Sequence, residues 1–215
     1  MMKKPIIKLF TFDIETTGIY DQTNRIIQFA YQAEINQVVN KAGVIYLQID
    51  QPIPEQIKTL TKIDETILNE KGQAYTMGLK MICKLLVDAV DEGYFLAGHN
   101  IVGFDMKFIL NQCDQFINED PDYLKLVAMW HDWQHTKLQF QDGLINARKL
   151  ANAHRYAKGF KNFEVADSYQ ISYDSKQLHD AQADISLSAK NIWHQLAQFG
   201  QYRLDFNQVE KSMRN

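Results

Sequence analysis

The sequence predicts a mixed α/β chain: a five-stranded sheet that opens with a three-strand antiparallel meander, adds parallel strands, and is flanked by helices. Two observations carry this. Residues 6–49 contain three β-branched, apolar runs at hairpin-like spacing, and from Thr76 onward the apolar period becomes that of helices broken by short strand-like runs. No internal repeat, low-complexity tract or linker divides the 215 residues. The expected division is therefore one domain over residues 1–199 with a polar tail at 200–215.

Taken in order, Ile6 to Ile14 reads as a buried strand, and Arg25–Ile35 (RIIQFAYQAEI) and Ala42–Ile49 (AGVIYLQI) as its meander partners. Turn material stands at Asp21–Asn24 and Asn36–Gly43, and Pro52-Ile53-Pro54 stops strand pairing. Thr76–Val90 places Leu79, Ile82, Cys83, Leu86 and Val90 on one helical stripe, with Gly93 as the stop. Tyr94–Ala97 reads as a short strand, Asp105–Phe116 as a helix, and Lys137–Gln141 as an edge strand. Ile145–Arg155 and Phe163–Tyr169 read as short helices. Asp180–Phe199 is the clearest helix, with Ala181, Ile185, Ser188, Ile192, Leu196 and Phe199 in register.

Composition narrows the function classes. Aromatic content of 12%, with 4 Pro and 10 Gly, argues against a disordered or collagenous chain. A net charge of −3 and a pI near 6.1 exclude a globally basic nucleic-acid binder but not a local basic groove. Cys83 and Cys113 cannot build a disulfide framework and read as reduced core thiols of a cytoplasmic protein. No apolar run has the length of a membrane span, and Lys8 and Asp13 interrupt the apolar start before an export signal forms.

Three acidic clusters carry the chemistry. In Phe12-Asp13-Ile14-Glu15-Thr16-Thr17-Gly18 the strand period puts Asp13 and Glu15 on one face, roughly 6.5–7 Å apart along the chain, with Phe12 and Ile14 on the other. Paired carboxylates repel unless a cation sits between them, and hard divalent ions are the usual answer. A solvated strand end before a turn would show the same residues. In His99-Asn100-Ile101-Val102-Gly103-Phe104-Asp105, Asp105 also suits an ordinary helix N-terminus. In His179-Asp180-Ala181-Gln182-Ala183-Asp184, Asp180 is the candidate cap, with His179 just outside the helix and Asp184 one turn inside it.

Together the clusters resemble the motifs of the DnaQ-like (DEDDh) 3′-to-5′ exonucleases, of RNase H-like fold. The D-x-E-T-T-G motif matches Asp13, Glu15, Thr16, Thr17 and Gly18. The H-N…F-D motif matches His99, Asn100, Phe104 and Asp105, and H-x-A-x-x-D matches His179, Ala181 and Asp184. Ile53-Pro54-Glu55 through Leu60-Thr61-Lys62-Ile63-Asp64 looks like the family's P-E…L-T-G-I stretch. Asp142–Leu150 looks like its D-T-L-x-L-A-R-x-L, so the resemblance spans residues 6–195. Three residues separate Asn100 from Phe104 where polymerase proofreading subunits usually have two, a spacing more like members that trim free single strands. Asp180 stands where the sister class has tyrosine, which favours the histidine class.

The resemblance implies hydrolysis of single-stranded DNA 3′ ends to nucleoside 5′-monophosphates, with no membrane role and with a polymerase as a candidate partner. The alternatives are an exonuclease of RNA 3′ ends or oligoribonucleotides with the same site, and a non-catalytic nucleic-acid-binding module of the same fold. It implies two divalent ions, Mg²⁺ with Mn²⁺ as substitute, held by Asp13, Glu15, Asp105 and Asp184. Of these, Asp13 would bridge the pair. His179 would take the proton from the attacking water, since an imidazole pKa near 6.5 suits a base at neutral pH. Thr16, Thr17, Gly18 and Ile19 would cup the terminal nucleotide, with His99, Asn100 and Phe104 on the substrate side. Ile19 and Phe104 suit a core position equally well. Independently of the resemblance, Arg148, Lys149, Arg155, Lys158 and Lys161 form an acid-free basic stretch that reads as a phosphate track or a solvated face.

Trp130-His131-Asp132-Trp133-Gln134-His135 approaches a zinc-protease pattern, but Asp replaces Glu and no third ligand stands near. It reads as a partly buried aromatic helix. Residues 118–136 are a candidate insertion at the substrate entrance.

Overall fold

The computed structural model describes residues 6–154, 159–175 and 181–199. A mixed sheet runs in the order β4-β3-β2-β1-β5-β6. The strands are β1 (Lys8–Thr16), β2 (Ile26–Ile35), β3 (Val38–Leu47), β4 (Gly72–Gln73), β5 (Phe95–Gly98) and β6 (Phe140–Asp142). Strands β1, β2 and β3 form the antiparallel meander. Strand β5 pairs parallel with β1, β6 parallel with β5, and β4 parallel with β3. The sheet therefore has six strands among the described residues, not five. The extra one is the two-residue β4 on the β3 edge, too short to leave an alternating pattern.

The second correction lies at the β2–β3 turn, expected over Asn36–Gly43. The turn is only Asn36-Gln37, both at positive φ (50° and 69°), and pairing resumes at Ile35↔Val38. The start of β3, Val38-Val39-Asn40-Lys41, is exposed on both faces, so its residues show no alternation of apolar and polar to read. Gly43 pairs with Tyr31, and a Cβ there would stand 2.9 Å from that ring.

The helices are α1 (Glu55–Thr61), α2 (Glu65–Lys71), α3 (Tyr75–Asp91), α4 (Asp105–Ile117), α5 (Pro121–His131), α6 (Gly143–His154), α7 (Asn162–Ser168) and α8 (Ala181–Phe199). Strand alternation sorts them onto two faces. Phe10, Phe12 and Ile14 of β1, with Phe29 and Tyr31 of β2, meet Leu79, Ile82 and Leu86 of α3 and Met106 and Ile109 of α4 in the main core. Burying such side chains contributes about 1.5–3 kcal/mol each. Leu9 and Ala97 meet Ala189, Ile192, Trp193 and Leu196 of α8 on the other face, where Ala30 receives Ile185. Small residues at Ala30 and Ala97 let α8 lie close to the sheet.

Helix α5 occupies the 118–136 stretch. It buries Tyr123, Leu126, Met129 and Trp130 against α3 and α4, so it belongs to the core layer. It stops at His131, and the aromatic helix expected across 130–135 ends there. His135 stands beyond a turn, 76% exposed along its side chain, with Nδ1 2.6 Å from Asp132 Oδ1. Helix α1 closes at Lys62, which adopts φ 61° and ψ 20° and sends its N–H to the Lys58 carbonyl. Lys62 stands where the L-T-G-I pattern has glycine, so this left-handed cap carries a side chain that disfavours it.

Candidate active site

Strand β1 outruns its parallel neighbour. Pairing with β5 ends at Thr11↔Ala97, while β1 continues to Thr16, leaving amides of its last residues without a strand partner on that side. Asp105, the first residue of α4, fills part of the gap: its Oδ1 accepts the Ile14 N–H at 3.0 Å. This side chain is buried, with 2% of the residue exposed. Asp13 and Glu15 point to the opposite face from Phe12 and Ile14, towards α8. Asp13 pairs with Ala30, Ile185 packs on Ala30, and Asp184 precedes Ile185 in the first turn of α8. That chain of contacts brings Asp184 to Asp13.

The electrostatics show the crowding. Burial first, and the Asp184 charge second, push the Asp13 carboxyl up to about 7. Burial, then Asp13, then Asp184 push Glu15 up to about 8. Burial and the Asp13 charge raise Asp105 well above the usual carboxylate range, against the lowering effect of the Ile14 amide. No described cation lies within ion-pair distance of Asp13, Glu15 or Asp105, and no described donor reaches the carboxylates of Asp13 or Glu15. Glu34, buried on the same sheet face, is different: it accepts from Gln32 Nε2 at 2.7 Å and from Trp193 Nε1.

Buried carboxylates without a positive partner are costly, and an oxygen-rich, anionic donor set is the chemistry of a hard divalent cation. The residues fit such an ion. Among the described residues no three His, Cys, Asp or Glu side chains are drawn into a ready-made metal cage.

The loop between β5 and α4 forms the next wall. Asn100 takes a left-handed conformation at φ 66°, which asparagine tolerates, and its carbonyl accepts the Gly103 and Phe104 amides. Asp142, at the end of β6, holds this loop. Its carboxylate accepts N–H from Asn100 (3.2 Å), Val102 (3.1 Å), Leu144 (3.0 Å) and Ile145 (3.1 Å), clamping the loop to the start of α6. Sequence reading placed Asp142 in a motif without giving it this task; an Asp between a strand and a helix was the available signal. His99 lies half-buried beside Phe160, and its Nδ1 has no hydrogen-bond partner among the described residues. Burial, aided by Arg148, lowers its pKa to about 4, so it stays neutral.

These elements enclose a cleft of about 610 Å³ lined by Asp13, Asp184, His99, Asn100, Arg148 and the 160–164 segment among others. The loop after Glu15 stands at the same end of the sheet. Thr16 Oγ1 donates to the Gly18 carbonyl at 2.6 Å, and Thr17 Oγ1 accepts from the Arg25 amide and Gln51 Nε2. Both hydroxyls are thus engaged inside the loop, and Gly18 packs so closely on Asn24 that a Cβ would stand 2.7 Å from its Oδ1. Ile19 and Phe104, left open between core and stacking surface, part company here: Ile19 is 72% exposed, while Phe104 packs half-buried on the core beside Phe108. His179 and Asp180 lie outside the described residues, as do Arg155, Lys158 and the 200–215 tail. None of residues 118–136 lines the cleft. Asn162, Phe163 and Ser188 line it without any sequence motif to announce them.

The model of an exonuclease family matches residues 10–192, most of the chain. The chain belongs to the exonuclease family. Its fold is the RNase H-like one of the DnaQ-like 3′-to-5′ exonucleases. Among curated relatives, a PolC-type DNA polymerase III of Mycoplasma genitalium is 33% identical over 184 residues, covering 85% of this chain and 11% of that protein. One from Mycoplasma pneumoniae is 31% identical over 106 residues, covering 49% of this chain and 7% of that protein. The chain thus spans about a tenth or less of the length of these relatives. Among solved structures, E. coli exonuclease I with a dT13 oligonucleotide aligns over 91% of this chain and 42% of that one, at 19% identity and a TM-score of 0.69. A zinc-bound E. coli exonuclease I–single-stranded DNA complex aligns over 91% and 41%, at 18% identity and a TM-score of 0.71. No helix among the described residues is long and apolar enough to cross a membrane.

Proposed function

We propose that this chain is a DEDDh exonuclease that removes nucleoside 5′-monophosphates from the 3′ ends of single-stranded DNA. The observation that carries the reading is the set of acids without a positive partner among the described residues, half-buried Asp13 and Glu15 and buried Asp105, gathered beside the cleft that Asp13 and Asp184 line. When bound there, two divalent ions such as Mg²⁺, or Mn²⁺ in its place, supply charge neutralisation for the attacking and leaving oxygens of the phosphodiester. Asp13, Glu15 and Asp184 would hold them, with Asp105 on the leaving-group side. Asp105 is also fixed by the Ile14 amide, so β1 and α4 move together under the reacting phosphate.

His179 is the proposed base, taking the proton from the water that attacks phosphorus. The loop of Thr16, Thr17, Gly18 and Ile19 is the proposed seat of the terminal nucleotide. Its internal hydrogen bonds keep it in one shape while Ile19 offers an apolar edge to the last base. His99, Asn100 and Phe104 would line the opposite side, and Asp142 positions them through the loop amides.

Similarity to exonuclease I solved with DNA oligonucleotides favours DNA as substrate, and the PolC-type relatives favour a polymerase as working partner. Cys83 and Cys113 are buried thiols whose Sγ atoms share a hydrogen bond at 3.3 Å, and a reducing cytoplasmic setting would keep them so. The test uses 5′-labelled 12-mers of DNA and RNA, each with Mg²⁺. A ladder shortened from the 3′ end, formed faster on DNA and stopped by chelator, is expected. Faster cleavage of RNA, or cleavage undiminished by chelator, would overturn the reading.

A further inference from the structure

We infer that the cleft wall built from Arg148, Phe160, Lys161 and Phe163 seats the DNA strand on the 5′ side of the bond that is cut, its two cations on phosphates and Phe163 against a base. The inference rests on the exonuclease reading above and adds where the remainder of the substrate lies.

Arg148 and Lys161 line the cleft that holds Asp13 and Asp184. Lys58, Lys84 and Lys125 pair with carboxylates, whereas neither Arg148 nor Lys161 has an ion-pair partner among the described residues. Each lies instead over an aromatic ring: Arg148 5.9 Å from the Phe160 centroid, Lys161 5.8 Å from that of Phe163. A ring engages the cation without consuming its N–H donors, so the donors remain for an anion. In a chain of net charge −3, two cations with no ion-pair partner among the described residues, gathered at an acidic cleft, are a local arrangement and no reflection of composition.

The wall is also fixed to the acids. Asn162 Nδ2 donates to Ser188 Oγ (2.9 Å) and to the Asp184 carbonyl (3.2 Å), and Asn191 Nδ2 donates to Asn162 O (2.9 Å) and Oδ1 (2.8 Å). The Lys161 amide donates to Glu164 Oε2 at 2.9 Å, and bare Gly159 leaves room for that carboxylate. Segment 160–164 is therefore bolted to the helix that carries Asp184.

Substrate chemistry then decides the direction. When the 3′-terminal nucleotide is released, the scissile phosphate is the sole phosphate it carries. Every other phosphate of the strand lies on the 5′ side, so cations that reach past the scissile phosphate serve that side. Cations interleaved with aromatic faces are the usual means of holding a single strand without reading its sequence.

The experiment compares dT12 with the p-nitrophenyl ester of thymidine 5′-monophosphate, which carries one phosphate. In the Arg148→Gln/Lys161→Gln double variant, kcat/KM on dT12 should fall at least tenfold more than on the ester, mainly through KM. The slope of log affinity against log salt for dT12, measured in EDTA, should shrink by about 1.4, the value for two lost single-strand phosphate contacts. With 2-aminopurine next to the terminal base, fluorescence should be quenched by the wild type and by Phe163→Trp but not by Phe163→Leu. Equal losses on dT12 and the ester, or an unchanged salt slope, would overturn the assignment. Should the wild type cleave neither substrate, the exonuclease reading falls, and dT12 binding and its salt slope in EDTA decide the wall alone.

Discussion

On one face of the sheet Phe10, Phe12, Phe29 and Tyr31 meet Leu79, Ile82 and Leu86 in a layer of nearly pure hydrocarbon. On the other, Asp13, Gln28, Gln32 and Glu34 look towards a helix that carries Asp184, Ser188 and Asn191. Both faces bury apolar side chains, but the second, where Leu9 and Ala97 meet Ile192 and Leu196, also carries half-buried acids. Burial opposes the charged forms of these acids, and the fold keeps them because the apolar packing on both faces supplies the folding energy. The difference is a sign of function: unneutralised acids persist in a fold when a ligand of opposite charge completes them.

Substitutions should act oppositely on the two faces. The largest expected effect is on the polar face: Asp13→Asn should lower the rate of 3′-end cleavage on the order of 10³-fold, a loss of about 4 kcal/mol of transition-state stabilisation. In EDTA the same variant should melt at or above the wild-type temperature, by up to about 5 °C for roughly 1–2 kcal/mol of relieved burial. A melting temperature lowered by more than a few degrees would mean that the Asp13 charge helps to hold the fold. Leu86→Ala, on the apolar face, should cost about 2–5 kcal/mol and lower the melting temperature by roughly 5–15 °C, with cleavage at low temperature largely kept.

Acidity separates the faces further. The Asp13 and Glu15 carboxyls are raised in the folded chain to about 7 and about 8, from 3.8 and 4.5. The folded state thus binds protons more tightly than the unfolded one. Their stabilising contribution is full below about pH 4 and is lost as pH rises through 7–8. Metal-free protein should accordingly lose melting temperature between pH 5 and 8.5, and Asp13→Asn/Glu15→Gln should flatten that slope. A wild-type slope unaltered in the double variant would assign the titration to other groups. The smallest expected effect lies far from both faces: Lys62→Gly should gain about 0.5–1 kcal/mol by relieving the left-handed cap of α1, with activity unaltered. A loss of stability there would show that the Lys62 side chain contributes more than its backbone costs.

Much of this was legible in the sequence because it depends on periodicity. The alternation in Phe12-Asp13-Ile14-Glu15 assigns each side chain to its face, and the 3.6-residue stripe of α8 fixes where Asp184 falls. Strand β4 escaped because its pairing depends on neighbours remote in sequence, and the tight turn at Asn36-Gln37 because the β3 residues after it are exposed and do not alternate. Asp142 could be placed in a motif, but its four amide partners come from two segments that only the fold joins. Asn162 carries no signal at all, since an asparagine opening a short helix is ordinary until α8 is packed against it.

The account stands or falls on whether the acids of β1 and α8 take up cations jointly. Calorimetric titration of Mn²⁺ into the metal-free wild type, Asp13→Asn and Asp184→Asn, with circular dichroism to verify the fold, measures this directly. Two ions bound by the wild type are expected, with markedly weakened binding in either folded variant. Undiminished Mn²⁺ uptake by both variants would contradict the account.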